Sequence, residues 1–548
     1  MKHCILYLNM FRVFLLYSFV FCLSGQENVR IDQVLKDTLD CKFKSNKTVG
    51  LTVSVVRSDK VLFVGGYGFV DIEKKTPVTG DTLFQLSSMS KAFASVLLTK
   101  LIEEKTNYTL DTRLKKILHG KEIFYDSLRS NYVTLRDLLS HKTGIPKHNE
   151  MRFDTDLTRK NFIDRLKYLK PEGVFRGSYM YNNLMYGIVT RLAEIIGKDK
   201  WENLVTKHIF EPLEMNTSTF ASTADPEKIL LAKGYVEYYG ELHPVHYNFT
   251  RQYSEICGSV CILTTANDMS KWTRFFLNGG KLQNDTRLIS EQAFKDITTP
   301  VNTIPYTYTH KYFSTPEIPV TNIQSNYALG WRTGYYRGYR MVVHTGSTWG
   351  YRAMISWYPE ADIGIFVAFT GNDPNYFYRL TLHNYIFDVY TGHIPYLNTS
   401  TICTYPEPWL KSDIPKVKPN YRKDRNTTRK QKEYIGMYKH KAYGKIKIGK
   451  HTEKNKLNLI YGYLTFELYP SETKDEFYGD TTGISAKLFD VYKFKFEFHN
   501  DQVTLKASSF QERPTFVKKV QLNNKAYPMY TTSMSLPVVI LCICLTLF

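Results

Sequence analysis

GYGFVDIEKKTPVTGDTLFQLSSMSKAF, Gly66 to Phe93, leads from an apolar, strand-like segment through a turn-rich stretch into a helix-forming one. Ser88 and Lys91 stand three residues apart at the start of SMSKAFASVLLTKLIEE (Ser88 to Glu104). That stretch lacks Gly and Pro and spaces Met89, Ala92, Val96, Leu97 and Leu101 at helical intervals. Side chains at this spacing share one face, so an amine lies beside a hydroxyl. A serine hydroxyl is a weak nucleophile until a neighbour takes its proton, and an amine or phenol does so only where its pKa is depressed. Ser-x-x-Lys alone is equally a helix cap with an exposed lysine; its surroundings decide between the two.

Upstream, LTVSVV (Leu51 to Val56) and VLFVGGYGFV (Val61 to Val70) alternate as paired strands around a turn at Arg57 to Lys60. Downstream, Asn183 to Gly197 repeats the helical spacing, with Gly197 as a stop. Strand-like runs return in RMVVHTG (Arg340 to Gly346) and in AMISWYPEADIGIFVAFTG (Ala353 to Gly371), the second broken by a Pro-Glu-Ala-Asp turn. Strands flanking a helical middle predict an α+β domain, 26–405, whose first and last strands join one antiparallel sheet flanked by helices. Residues 406–432 read as a basic linker. KIKIGK, KLNLIYGYLTFELY, VYKFKFEFH and QVTLKASSF then read as short antiparallel strands of a small all-β domain over 433–520.

The stretch from Gly66 to Phe93 resembles the nucleophile region of the class C β-lactamase, penicillin-binding-protein and D-aminopeptidase family. TLRDLLSHKTGIP (Thr134 to Pro146) is similar to that family's helix and following turn, and Tyr181-Asn182-Asn183 stands where the family has Tyr-x-Asn. CGSVCILTTANDMSKW (Cys257 to Trp272) resembles a further family segment, and HTGSTWGY (His344 to Tyr351) its third motif. The motifs come in the family's order between Leu51 and Phe369. The resemblance implies a β-lactamase/transpeptidase-like fold and a lipocalin-like C-terminal module. It makes Ser88 the nucleophile, Lys91 its hydrogen-bonded partner and Tyr181 the proton shuttle. Asn183 would hold the substrate amide, His344 and Gly346 would line the opposite wall, and the backbone N–H groups of Ser88 and Ser347 would form an oxyanion hole. Lys91 near Tyr181 would favour phenolate, and the sequence leaves open which of the two is the base. Many bacterial relatives carry Lys where this chain has His344, and histidine is charged only part of the time near neutral pH. The bland readings are a strand-end hydrogen-bonder for His344, a core aromatic for Tyr181 and a helix cap for Asn183.

In this chain of 548 residues, Lys2 and Arg12 precede an apolar run from Val13 to Leu23, which reads as a signal peptide over 1–25. Sequons at Asn46, Asn107, Asn216, Asn248, Asn284, Asn398 and Asn426 fit a secreted or cell-surface glycoprotein. Of the 8 cysteines, Cys4 and Cys22 lie in the signal and Cys542 and Cys544 in the far tail. Cys41, Cys257, Cys261 and Cys403 remain, open to three connectivities; Cys257 with Cys261 and Cys41 with Cys403 is the pairing expected. Dispersed cysteines do not make a zinc set, so neither metal nor cofactor is expected. The tail over 521–548 ends in an apolar run from Leu536, preceded by a polar spacer, and reads as a GPI-attachment signal with Asn524 as the attachment site. A formal charge of +20 is concentrated in part between Lys411 and Lys456, including Lys416, Lys418, Arg422, Arg425 and Arg429. In an exported chain this favours a solvated face or contact with anionic lipid or glycan over nucleic acid.

The reading is an exported serine hydrolase acting on a small peptide, amide or ester, associated with a membrane surface through its tail. The rival is a surface-displayed binding protein on a silent hydrolase scaffold; the presence of Ser88, Lys91 and Tyr181 speaks against it. Substrate and oligomeric state are not legible.

Overall fold

The computed structural model describes residues 26–45, 47–252, 254–305, 317–411, 421–451, 456–500 and 502–519. The expected signal peptide, the sequon at Asn46, Lys416, Lys418 and the C-terminal tail lie outside them. Among the described residues no helix is long and apolar enough to cross a membrane.

Strands β1 (Thr48–Val56) and β2 (Val61–Asp71) form the expected hairpin, closed by the Arg57 N–H donating to Lys60 O at 2.9 Å. With β3 (Thr76–Pro77), β4 (Asn302–Thr303), β5 (Asn322–Tyr327), β6 (Arg332–Tyr336), β7 (Tyr339–Thr348), β8 (Tyr351–Tyr358) and β9 (Ile363–Gly371) they build one nine-stranded sheet. Its order is β3-β2-β1-β9-β8-β7-β6-β5-β4, so the N-terminal hairpin joins the C-terminal strands at the centre, β1 antiparallel to β9.

The period-two alternation of strands decides what packs on each face. From β9, Phe366 and Ala368 face one core, shared with Val342 and Ile355 and with helices α1 (Ser90–Lys105), α2 (Asn183–Gly197) and α3 (Ala266–Leu277). Ile365, Val367 and Phe369 face the other, covered by α4 (Phe377–Tyr390) and by Ile31, Leu35 and Leu39 of a helix over 26–44. Burial on both faces explains the near-continuous apolar reading of β9.

Ser88 departs from the expected helical start. It lies in a 3-10 turn, Ser87–Met89, that precedes α1. Ser87 has a φ of 51°, a left-handed conformation that a non-glycine residue adopts only where its surroundings hold it. α2 matches its expected span; Asn182 caps it by accepting the Leu184 N–H at 2.7 Å, and Lys198, one residue beyond Gly197, takes the left-handed cap at φ 57°.

The C-terminal strands close an eight-stranded barrel, β10 (Gly436–His440) to β17 (Thr515–Lys518). Tyr438, Phe466, Phe477, Phe494, Phe496 and Phe516 are buried in its core. The barrel seats directly on the hydrolase unit. At Gly462 a Cβ would stand 1.5 Å from Phe153 O, and Tyr443 Oη lies 2.7 Å from Nδ1 of the buried His148. Two of the basic linker residues are paired with barrel carboxylates, Arg425 with Glu472 at 2.9 Å and Arg429 with Asp475 at 3.2 Å. Both expected disulfides are present, Cys41–Cys403 and Cys257–Cys261.

Candidate active site

α1 and α2 pack side by side and bring Lys91 and Asn183 together over a gap of 92 positions. The fully buried Lys91 Nζ lies 2.7 Å from Asn183 Oδ1, 3.2 Å from Ser259 O and 3.3 Å from Ser88 Oγ. Burial pushes its pKa well below the usual lysine value, and the positive charge of Arg332 adds to the effect. A neutral amine has two N–H bonds and one lone pair. The two acceptors, Asn183 Oδ1 and Ser259 O, take the N–H bonds, so the lone pair is left for the Ser88 hydroxyl.

Tyr181 lies over the same amine, its ring centroid 4.7 Å from Nζ. Burial pushes the Tyr181 phenol up, against an opposing pull from Ser88 beside it. The expectation of a phenolate is thereby corrected: desolvation favours the neutral form of both groups, and the neutral form of the lysine is the basic one. Asn183, expected to hold the substrate amide, stands in the Lys91 network. Its Oδ1 is engaged by Lys91, and its Nδ2 donates to Asn149 Oδ1 at 3.3 Å. Asn149 follows His148, so the barrel contact at Tyr443 lies one residue from a partner of the Lys91 network.

His344 is buried beside Tyr181 and Tyr327. Its Nδ1 is 2.8 Å from Thr345 O and its Nε2 3.0 Å from Tyr327 Oη. A carbonyl only accepts, so Nδ1 carries the hydrogen; burial above all, with the positive charge of Arg332 adding to it, holds the pKa well below the normal histidine value. The ring is therefore neutral, Nε2 accepts from Tyr327, and His344 is not the partly charged group expected from its type. Gly346 serves close approach: a Cβ there would stand 1.9 Å from Leu86 O, so β7 can lie against the turn that carries Ser88 only with glycine. Ser347 Oγ accepts from Arg379 Nη2 at 2.9 Å, which orients the hydroxyl and leaves its own hydrogen free to donate.

Several groups here escaped the sequence reading. Ser259 supplies a carbonyl from within the short Cys257–Cys261 loop. His141, inside the quoted Thr134 to Pro146 stretch, packs on Tyr181 with ring centroids 4.4 Å apart, and burial holds it neutral. Arg379 and Asp373 form a buried pair at 2.7 Å behind β7, and Arg332 opens β6 next to it. Among the described residues no group of His, Cys, Asp or Glu could hold a metal.

The two disulfides predict different losses. Cys257 and Cys261 bracket the Ser259 carbonyl, so the Cys257→Ser, Cys261→Ser double variant is expected to lower kcat on the order of ten-fold through misplacement of Lys91. Cys41–Cys403, 362 residues apart in sequence, lies beside Leu39 and Ile402 of the other core rather than that of Met89 and Ala92, and its removal is expected to cost about 2–5 kcal/mol of stability with little change in kcat. Steady-state kinetics and denaturant titration of the two variants check this division.

The sequence profile described as Beta-lactamase matches residues 31–385. Gigasin-6 of Magallana gigas is 35% identical over 277 residues, covering 49% of this chain and 91% of that protein. The unguisins hydrolase of Aspergillus campestris is 28% identical over 344 residues, 61% of this chain and 60% of the fungal protein. Among solved structures, the octameric penicillin-binding protein homologue from Pyrococcus abyssi superimposes with a TM-score of 0.56 at 20% identity, over 89% of this chain and 99% of that one. D-amino acid amidase from Ochrobactrum anthropi SV3 does so at 0.51 and 16% identity, over 63% and 93%. At these identities the two structures speak for the fold, and the profile speaks for descent. The profile spans every motif that meets around Ser88, and this chain belongs to the beta-lactamase family of serine hydrolases.

Proposed function

We propose that this protein is an exported hydrolase that cleaves an amide or ester through an acyl-enzyme on Ser88. The observation that carries the reading is the Lys91 amine, desolvated and with both N–H bonds engaged, 3.3 Å from Ser88 Oγ. In acylation the Ser88 proton passes to Lys91 Nζ as Oγ bonds to the substrate carbonyl carbon. The leaving group then departs with the proton of Tyr181, which Lys91 replenishes. Water completes the cycle by the reverse transfers. The N–H groups of Ser88 and Ser347 are assigned to the developing oxyanion, where one donor is worth about 3 kcal/mol. The name of one structural neighbour, a D-amino acid amidase, favours an amide as the bond cleaved.

Intact mass of the glycosylated ectodomain after incubation with a β-lactam, a D-amino-acid amide and an activated ester tests the assignment. A single adduct mapped to Ser88 and absent from Ser88→Ala is the expected result. A folded sample that takes no adduct from any probe sinks it in favour of a binding protein.

Because the depressed lysine must be neutral to act, acylation is expected to fall on the acid side as pH drops through the lowered Lys91 pKa and to stay level above it. His141 and His344 are held neutral by burial and contribute no acid limb of their own. A pH profile of kcat/KM with an uncharged ester reads this directly; a profile rising only near the ordinary lysine pKa contradicts it.

Export and glycosylation are part of the proposal. Asn107, Asn216, Asn248, Asn284, Asn398 and Asn426 are all exposed, and two disulfides suit an oxidising compartment. A gel shift on treatment with an N-glycanase and release from cells by a phosphatidylinositol-specific phospholipase test glycosylation and the GPI anchor separately.

A further inference from the structure

The basic segment from Lys411 to Lys456 separates into two parts in the structure. Its linker arginines are neutralised: Arg422 pairs with Asp424 at 2.8 Å, Arg425 with Glu472 and Arg429 with Asp475. Its strand lysines join others from later in the chain on the outer wall of the barrel. In β10, β11 (Gly444–Lys450), β15 (Tyr492–His499), β16 (Gln502–Ala507) and β17, period-two alternation turns Tyr438, Ile446, Phe496, Leu505 and Phe516 into the core. The same alternation leaves Lys439, Lys445, Lys447, Lys495 and Lys506 outside. Lys519, just past β17, is exposed and joins this wall through its N–H, which donates to Met437 O at 2.8 Å.

Two pairs of these lysines stand directly opposite each other on neighbouring strands, Lys439 with Lys445 and Lys495 with Lys506. Like charges so placed destabilise a sheet. The carboxylates beside them are Asp156 of the hydrolase unit, 2.7 Å from Lys445, Glu476, opposite Lys495 in the register, and Glu497, two residues along β15 from Lys495. Among the described residues Lys439, Lys447, Lys495, Lys506 and Lys519 form no ion pair. A wall that keeps lysines opposed and without counter-ions is complementary to a partner that supplies negative charge along its length.

The shape of the band narrows the partner. Its five strands are consecutive in the closed order, β15-β16-β17-β10-β11, within a barrel of eight. At about 4.8 Å between strands, the lysines follow an arc of about 19 Å round roughly half the barrel. A flat bilayer meets only one side of such an arc, whereas a flexible linear polymer follows it. Lysine carries a compact charge on a flexible stem, which suits anions spaced along a chain better than a single fixed one.

We propose that this lysine band is a docking surface for a linear sulfated polysaccharide, separate from the Ser88 site. The choice of a glycan among polyanions rests on the reading of the chain as exported, which N-glycanase treatment tests on its own; the band does not depend on hydrolysis.

Calorimetric titration of the glycosylated protein with a heparin octasaccharide tests the surface. Wild type is expected to bind it at about 0.1 M salt, with an affinity that falls steeply towards about 0.5 M. Lys506→Gln is expected to weaken binding about three-fold, and Lys439→Gln with Lys447→Gln and Lys506→Gln about 30-fold, the product of three exposed charge contacts. Unchanged near-ultraviolet circular dichroism checks that both variants are folded. An equal loss of charge elsewhere, at the exposed Lys44, Lys60 and Lys228 of the hydrolase unit, all changed to Gln, is expected to weaken binding less than about two-fold. A similar loss in the two triple variants overturns the proposal, because net charge alone then accounts for the binding. Absence of binding by wild type, or binding indifferent to salt, also overturns it. Vesicles of phosphatidylcholine and phosphatidylserine supply the last arm: protein that stays on them against excess octasaccharide overturns the proposal in favour of a lipid surface.

Discussion

Lys91→Met is expected to lower the acylation rate constant about 1,000-fold, the span of a positioned general base, while leaving the protein folded. Methionine follows the lysine stem in length and brings no amine. The variant removes the desolvated group, which favours folding, and leaves Asn183 Oδ1 and Ser259 O without their donor, which opposes it. The two nearly offset, so thermal stability at neutral pH is expected to move by only a few degrees while activity collapses. Stability against pH then exposes the base. Lys91 has a folded pKa depressed below its unfolded one, so the unfolded chain binds the extra proton in the interval between them. Its contribution to stability is complete above the unfolded lysine pKa and is lost as pH falls towards the folded one. Wild type is therefore expected to gain stability relative to Lys91→Met as pH rises from 7 to 9.5. A difference in melting temperature that stays flat over that range would mean that the lysine is charged in the folded protein.

The second large effect lies behind the site. Arg379 and Asp373 have side chains 0% and 1% exposed. Arg379 donates to Gly346 O, to Ala353 O at 2.9 Å and to Ser347 Oγ at 2.9 Å, while Asp373 also accepts the Tyr378 N–H at 2.8 Å. Removing one partner leaves an uncompensated buried charge, so Arg379→Met is expected to cost on the order of 4 kcal/mol. Asp373→Asn, which keeps the shape, is expected to cost nearly as much. Denaturant titration followed by near-ultraviolet circular dichroism measures both. The double variant should recover part of the loss, since no lone charge remains; if its cost equals the sum of the single ones, the pair is not coupled.

How much of this was legible follows from where each residue lies. Ser88 with Lys91, the alternation of β1 and β2 and the apolar run of β9 are local patterns, and they appear on inspection. The pairing of β1 with β9 was inferred from the order of strands and helices, and Cys41 with Cys403 was a choice among the three connectivities that an even set of four leaves open. The electrostatic state of the site was not legible, because it depends on burial and on partners from four separate segments. His344 reads as a half-charged group by its type and is neutral by its surroundings. Tyr181 reads as a phenolate beside a lysine and is protonated because both are desolvated. Gly346 reads as a wall and acts as a clearance, visible only once Leu86 lies against it. Arg332 and Arg379 follow no motif spacing at all; Arg379 is identified by a carboxylate at contact distance.

The central position of the β1–β9 pair also sets a timetable. β1 and β2 leave the ribosome early, yet the neighbour of β1 spans Ile363–Gly371, more than 300 residues later. At about 5–20 residues per second the hairpin waits roughly 15–60 s with one edge of β1 open. That edge, Thr48–Val56, is rich in valine and bears no charge, the composition that mispairs most readily. Nascent chains are thus most vulnerable during synthesis of the helical middle. Slowing translation there should lower the yield of folded protein, even though every residue of the finished molecule is unchanged.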